Sequence, residues 1–287
     1  MPTFRLPVSL PSTGAFMMHS FPHKTLYLLI GIVLFTYFGG YFYTADPFML
    51  HKDAILAAPS LEHPFGTDRL GRDLLARIIE GGKVSLFIGV GSALVATFLG
   101  FMLGAVAGYA RGFVDKSFVI IVDLFLTFPT FFLLLALVSY VNASAWVLIL
   151  IISVTGWMTT ARLVRSESFA VTSQPFIKIL NIAGVSRSRI LFKYYAPLLA
   201  PIFFVSFTFG VGGAILSESG LSFLGLGIVA PQMSWGTILS NGKEVIDIAW
   251  WVSFFPGLMI FFVTLSLMNI ANYLQQRTNR KSVQSDS

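Results

Sequence analysis

Long apolar runs separated by short polar breaks dominate this chain. A helix that crosses a bilayer needs about 20 mostly apolar residues. Six stretches meet that pattern: Leu26–Tyr43, Val84–Tyr109, Phe118–Val141, Ala145–Ala161, Leu198–Ser217 and Ile248–Ala271. Only Asn142, Ala143 and Ser144 separate the third from the fourth, which predicts a tight antiparallel hairpin. The first run exceeds the usual h-region of a cleaved leader, about 7–15 residues. Thr44-Ala45-Asp46-Pro47 after it is a poor cleavage site, so a retained anchor is expected.

Two further patterns lie outside those runs. Leu70, Leu74, Leu75, Ile78 and Ile79 recur at helical spacing among Arg and Asp, which predicts an amphipathic helix on the bundle or in the outer interface. Within the second run Gly100, Gly104 and Gly108 fall four apart on one face. Small residues at that spacing let a neighbouring helix approach closely, and packing within the chain is the expected use.

Composition agrees with a membrane protein: 55% of the 287 residues are hydrophobic and 11% are charged. A water-soluble domain carries about 25% charged residues. The net charge of +6 therefore reads as basic residues gathered on one side of a membrane, with no nucleic acid implied. With the N-terminus inside, the inner segments hold Arg5, Lys24, Arg111, Lys116, Arg162, Arg165, Lys178, Arg187, Arg189, Lys193, Arg277, Arg280 and Lys281. The outer ones hold Lys52, Arg69, Arg72, Arg77, Lys83 and Lys243. Both termini are thus expected in the cytoplasm. The resulting organisation is an inner segment 1–25, a first helix 26–43, an outer segment 44–83, a five-helix core 84–271 containing an inner loop 162–197, and an inner tail 272–287.

Enzymatic and metal chemistry find no pattern. The chain has no Cys, and His19, His23, His51 and His63 lack acidic partners at helical spacing. No nucleophile elbow occurs, and Gly81-Gly82-Lys83-Val84 lacks the glycine spacing and hydroxyl residue of a phosphate-binding loop. Catalytic, cofactor and metal residues are therefore expected to be absent. The candidates for a transport path are Asp123, Pro129, Glu218, Ser222 and Phe223, because carboxylates at membrane depth usually face a bundle interior or a water-filled path. Asp123 is alternatively paired with Arg111 or Lys116. The Gly-rich segment after Glu218 reads as a plug or lining, with Trp235, Trp250 and Trp251 as alternatives for headgroup anchoring.

The inner loop Ser173–Pro201 is the most basic interior segment. Thr172 or Ser173 with Pro175 can start a short helix, Gly184 can end it, and Ser186 can cap a second. Phe176, Ile179, Leu180 and Ala183 then offer an apolar face, either to a partner protein or to anionic lipid held by Arg187, Arg189 and Lys193.

Several motifs carry a resemblance. Gly66-Thr67-Asp68, Gly71-Arg72-Asp73, Arg77, Gly81, Ser85 and Leu86 form one block. Leu221–Gly227, reading LSFLGLG, forms another with Pro231, Ser234, Trp235 and Gly236. With Trp157, Arg162 and Arg165 they resemble the second permease subunit of the dipeptide, oligopeptide and nickel ATP-binding-cassette importers. Gly184 and Pro197 keep the spacing of that family's cytoplasmic loop, while Lys178, Ile179 and Leu180 replace its Glu-Ala-Ala. Ala230 and Met233 stand where the family tends to have Pro.

The resemblance implies an all-α type I importer permease of six transmembrane helices in the bacterial cytoplasmic membrane. It also implies a second homologous permease subunit, two cytoplasmic ATPase subunits that use ATP and Mg, and an extracytoplasmic substrate-binding protein. On this reading Phe176, Lys178, Ile179, Leu180, Ala183, Gly184, Val185, Ser186 and Pro197 form the ATPase-coupling loop, and small peptides, nickel or metal chelates are the candidate cargo. A secondary carrier or channel, and a membrane scaffold without transport, are the alternatives.

Overall fold

The computed structural model describes residues 22–285. The expected inner segment through residue 21, with Arg5 and His19, lies outside them, as do the last two residues of the expected tail. The helices are α1 (His23–Phe42), α2 (Leu74–Ala110), α3 (Gly112–Thr127), α4 (Thr130–Val138), α5 (Ala145–Ser173), α6 (Pro175–Ile182), α7 (Arg187–Arg189), α8 (Ala196–Phe223), α9 (Trp235–Lys243) and α10 (Trp251–Ser285). A π-helical turn, Ile190–Tyr195, joins α7 to α8. Among the described residues five helices are long and apolar enough to cross a membrane, and the bent pair α3–α4 makes six if it is counted as one span.

The bundle is held around α2. A Cβ at Gly100 would sit 2.5 Å from the Trp157 carbonyl oxygen, and Gly104 and Gly108 face Ala161 and Ser168 in the same way. Only glycine permits this approach of α2 to α5, so the glycine face does pack within the chain. The register also fixes direction, because Gly91 meets Ile149 while Gly108 meets Ser168, which makes α2 and α5 parallel. Gly89 meets Ile215 and Gly210 meets Ala93, so α8 runs against α2. The start of α2, the end of α8 and the start of α10 therefore share one end of the bundle. The loop after α5, the described start of α1 and the end of α10 share the other.

Two expectations are corrected. The expected amphipathic helix is not separate: Leu74, Ile78 and Ile79 are buried in the first turns of the 37-residue α2. At 1.5 Å per residue α2 is about 55 Å long, well beyond a hydrocarbon core of about 30 Å. Its start is fixed by Asp73, whose carboxylate accepts from the Ala76 N–H at 2.9 Å. Gly81 and Gly82 do not end the helix because Ser234, Trp235 and Thr36 press against them. The third run, expected as one kinked span, is two helices bent by 78°. Pro129 lacks an N–H and forces Phe128 into an extended conformation, φ −85° and ψ 133°.

Candidate functional site

α5 runs twelve residues past the end of its expected span, so Arg162 and Arg165 sit on a helix and not in a loop. Their partners are on α3. Arg165 holds Asp115 through both Nε and Nη2, the latter at 2.8 Å, and Arg162 reaches Asp123 at 2.6 Å. Asp123 is thus paired, but with Arg162 and not with the expected Arg111 or Lys116. Arg111 instead donates to Thr172 and Ser173 at 2.9 and 3.3 Å, and it stacks with Arg165 on the Phe169 ring.

Beyond Ser173 the chain turns into α6, with Pro175 at a position where a missing N–H costs nothing. The helix ends on Gly184 at φ +72°. Ala183 N–H donates to Ile179 and Val185 N–H reaches back to Leu180 at 3.1 Å, the six-to-one bond of a left-handed C-cap. Leu180 and Val185 pack beside each other on an inner cluster, as that motif favours. The cluster joins Ile177, Ile190, Tyr195 and Leu199 to Val164 and Val171 of α5 and Phe101 of α2. The Tyr195 hydroxyl also bonds Ser168 of α5.

The opposite face is left open. Phe176, Ile179 and Ile182 are 36%, 63% and 87% exposed, and Lys178, Ala183, Gly184, Ser186 and Pro197 are exposed beside them. Leu180, expected on this face, points inward, and Ile182 takes its place. Ile182 was legible as an apolar residue at i+3 from Ile179, on the same side of α6. The second helix of the loop is a single turn, and Ser186 serves it through its carbonyl, which accepts from Ile190 N–H at 3.1 Å. For Arg187 only the backbone is described.

The path candidates fall in two places: Glu218, Ser222 and Phe223 lie together at the end of α8, whereas Asp123 and Pro129 lie on α3 and at its bend into α4. Pro129 lies exposed at the α3–α4 bend. Glu218 is fully buried inside α8, which continues six residues past the expected end of its span. Its Oε1 accepts from Ser222 at 2.7 Å and from Ser234 at 2.5 Å, the latter being the N-cap of α9. The neighbouring Trp235 is also fully buried: its indole donates to the Ile78 carbonyl and its backbone N–H to Ser85. Trp251, expected at the headgroups, is buried with its indole on Thr67 O, whereas Trp250 is half exposed. Phe223 is partly exposed under Lys243, and Ser222 borders a cavity of 630 Å³ at this end of the bundle. Among the described residues no group of three or more His, Cys, Asp and Glu could hold a metal ion.

Residues 100–280 match the family model described as "Binding-protein-dependent transport system inner membrane component". The chain belongs to that family. It is 33% identical to the oligopeptide transport system permease protein OppC of Haemophilus influenzae, over 85% of this chain and 78% of that one. It is 37% identical to the dipeptide transport system permease protein DppC of Alkalihalophilus pseudofirmus, over 79% and 74%. OppC of Mycobacterium tuberculosis is 35% identical over 75% and 74%. As an inner membrane component of a binding-protein-dependent transport system, the chain is a multi-pass importer permease and not an enzyme. Such a permease works with ATPase and substrate-binding partners.

Proposed function

We propose that this chain forms half of an ATP-driven path that carries small peptides into the cytoplasm. A homologous permease forms the other half, two cytoplasmic ATPase subunits supply the drive by binding and hydrolysing ATP with Mg, and an extracytoplasmic protein delivers the cargo. The exposed face of α6 is the ATPase contact, so both chain ends lie in the cytoplasm.

The observation that carries this reading is the two-sided α6. One face is seated on the inner cluster through the fully buried Ile177 and the half-buried Leu180, while the other presents Phe176, Ile179 and Ile182 to whatever docks there. An apolar helix face of this size is costly to leave in water, and a groove on a partner covers it. Peptides as cargo are supported by relatives named for oligopeptide and dipeptide transport.

Uptake of labelled dipeptide and of nickel, in a strain lacking the gene and in vesicles with and without ATP, tests the reading. Dipeptide uptake that requires ATP and the partner subunits is expected. Uptake by the isolated chain on an ion gradient alone would make it a secondary carrier. Normal ATPase assembly with no cargo moved would make it a scaffold.

A further inference from the structure

The cavity at the outer end of the bundle is chemically lopsided. It lies between the segment preceding α2 and the α8–α9 connection, with a volume of 630 Å³. Its charged lining residues are Arg72 and Arg77, and no acidic side chain lines it. Both guanidiniums lean on one carboxylate, since Asp68 Oδ2 accepts from Arg72 Nε at 2.7 Å and lies 3.4 Å from Arg77 Nε. The other Asp68 oxygen is occupied by the Leu70 and Arg72 backbone N–H groups. Two positive charges against one negative leave a surplus of one at the cavity wall. Arg77 is nearly buried and is also held by the Pro47 carbonyl at 3.1 Å, so this charge is fixed in place.

The rest of the lining supplies what a short polar solute needs. Asn241 and Gln232 offer amide hydrogen bonds, and Phe48 and Val229 offer apolar contact. Glu218 does not neutralise the arginines from this side. It is enclosed behind Ser222 and Ser234, which donate to it.

A guanidinium fork recognises a carboxylate with two parallel bonds, which a lysine cannot reproduce. We propose that this cavity receives the free α-carboxylate of the peptide cargo at Arg72 and Arg77. It is thereby a specificity site on the permease itself, additional to whatever the binding protein selects. The proposal rests on the peptide-import reading above and specifies which end of the peptide the permease holds.

The same charge could instead meet an acidic side chain of the binding protein, and the experiment separates the two sources. The complete importer, reconstituted in vesicles with its binding protein, is given a labelled dipeptide or the same dipeptide as its C-terminal amide. Selection by the binding protein is common to all permease variants, so the acid-to-amide uptake ratio, compared between variants, reports the permease alone. In Arg72→Gln that ratio is expected to fall about tenfold, the effect of losing one charge-assisted bond. Arg72→Lys restores part of it. Amide uptake above background shows that the variant is assembled and coupled, and the acid-to-amide ratio alone is the readout. Asn241→Asp, which adds a negative charge to the same cavity without touching the Asp68 partners, lowers the ratio as well.

A ratio unchanged in both Arg72→Gln and Asn241→Asp overturns the proposal. So does an equal loss of acid and amide uptake with weakened docking of the binding protein, which would assign the charge to that protein. Failure of the wild-type importer to take up either peptide is a separate result. It removes the peptide reading and this site with it.

Discussion

Gly184 offers the sharpest test of the coupling loop, because the structure isolates one physical cause. Its φ is +72°, and a Cβ built there meets nothing within 4 Å. Replacement by Val therefore creates no clash, and the whole penalty lies in the backbone. A left-handed conformation costs an L-residue roughly 1–2 kcal/mol, with a β-branched residue at the upper end. The chain can relieve that strain only by leaving the turn, which breaks the Val185 to Leu180 bond and tilts the exposed face of α6. A cost of 1–2 kcal/mol lowers the equilibrium constant for the docking-competent turn by about 5- to 30-fold. In vesicles with limiting ATPase, Gly184→Val is expected to insert normally while ATP-driven uptake and ATPase co-purification fall by up to that factor. Gly184→Asn should remain near wild type, since Asn tolerates the left-handed region. Full activity of Gly184→Val would refute the assignment. An Asn variant as impaired as Val would show that side-chain bulk, and not backbone conformation, is what the partner senses.

Other consequences of the packing can be measured on the purified permease. Gly104→Leu drives a side chain into Ala161 on α5 and should lower thermal stability by about 3 kcal/mol or more, while Gly213→Ala, facing open space, should be nearly neutral. Asp115 and Arg165 form a two-pronged pair between α3 and α5, so a double-mutant cycle of Asp115→Asn with Arg165→Gln should return a coupling of about 1–2 kcal/mol. Coupling near zero would mean that the pair is solvated. Outside the membrane, burial and the Asp73 carboxylate beside it push the Tyr43 phenol above its ordinary 10.0. A raised acid favours the protonated form in the folded state, so its contribution is complete below pH 10 and is lost as the pH rises beyond that. Tyr43→Phe should flatten the alkaline fall in melting temperature, and an unchanged slope would refute the role.

What could be read in advance followed the information that periodicity carries. Apolar run length placed the crossings, and the glycine spacing in α2 identified its packing face. The α6 helix with its glycine stop was legible from Pro175 and Gly184. Boundaries were not legible where polar residues are buried. The last turns of α8 hold Glu218, Ser219 and Ser222, which look like loop chemistry until Ser234 closes on the carboxylate from α9. That contact spans sixteen residues, and no local pattern announces it. Trp235 and Trp251 were ambiguous for a related reason. An indole fits the headgroup region or a buried site with one acceptor equally well, and here the acceptors, Ile78 O and Thr67 O, come from distant segments. Leu180 was misplaced because an eight-residue helix leaves the phase of its inner face open by one position.

The way α6 is attached decides what a force on its exposed face can do. Ile177, Ile190, Tyr195 and Leu199 are each essentially fully buried in one cluster, which spans α6, the π-helical turn, α8 and, through Val164 and Val171, α5. Burying a large apolar side chain contributes about 1.5–3 kcal/mol, so even two of these anchors outweigh the strain that a Gly184 variant introduces. The turn is therefore weaker than the seat, and α5, α6 and α8 share one packed cluster. From that seat α8 runs through 28 residues, about 42 Å, to Phe223 at the opposite end, staying helical across Pro201, which lacks an N–H for the ladder. Its last turns carry the Glu218 cage and Ser222 on the cavity wall. The parallel contact of α5 with the glycine face of α2 leaves little room for sliding. The contrast is with the crossing next to them, where Phe128 and Pro129 interrupt the helix and a 78° bend has no backbone hydrogen-bond ladder to resist it. One helix thus joins the α6 seat to the cavity end of the bundle, while α3 and α4 meet at an open bend.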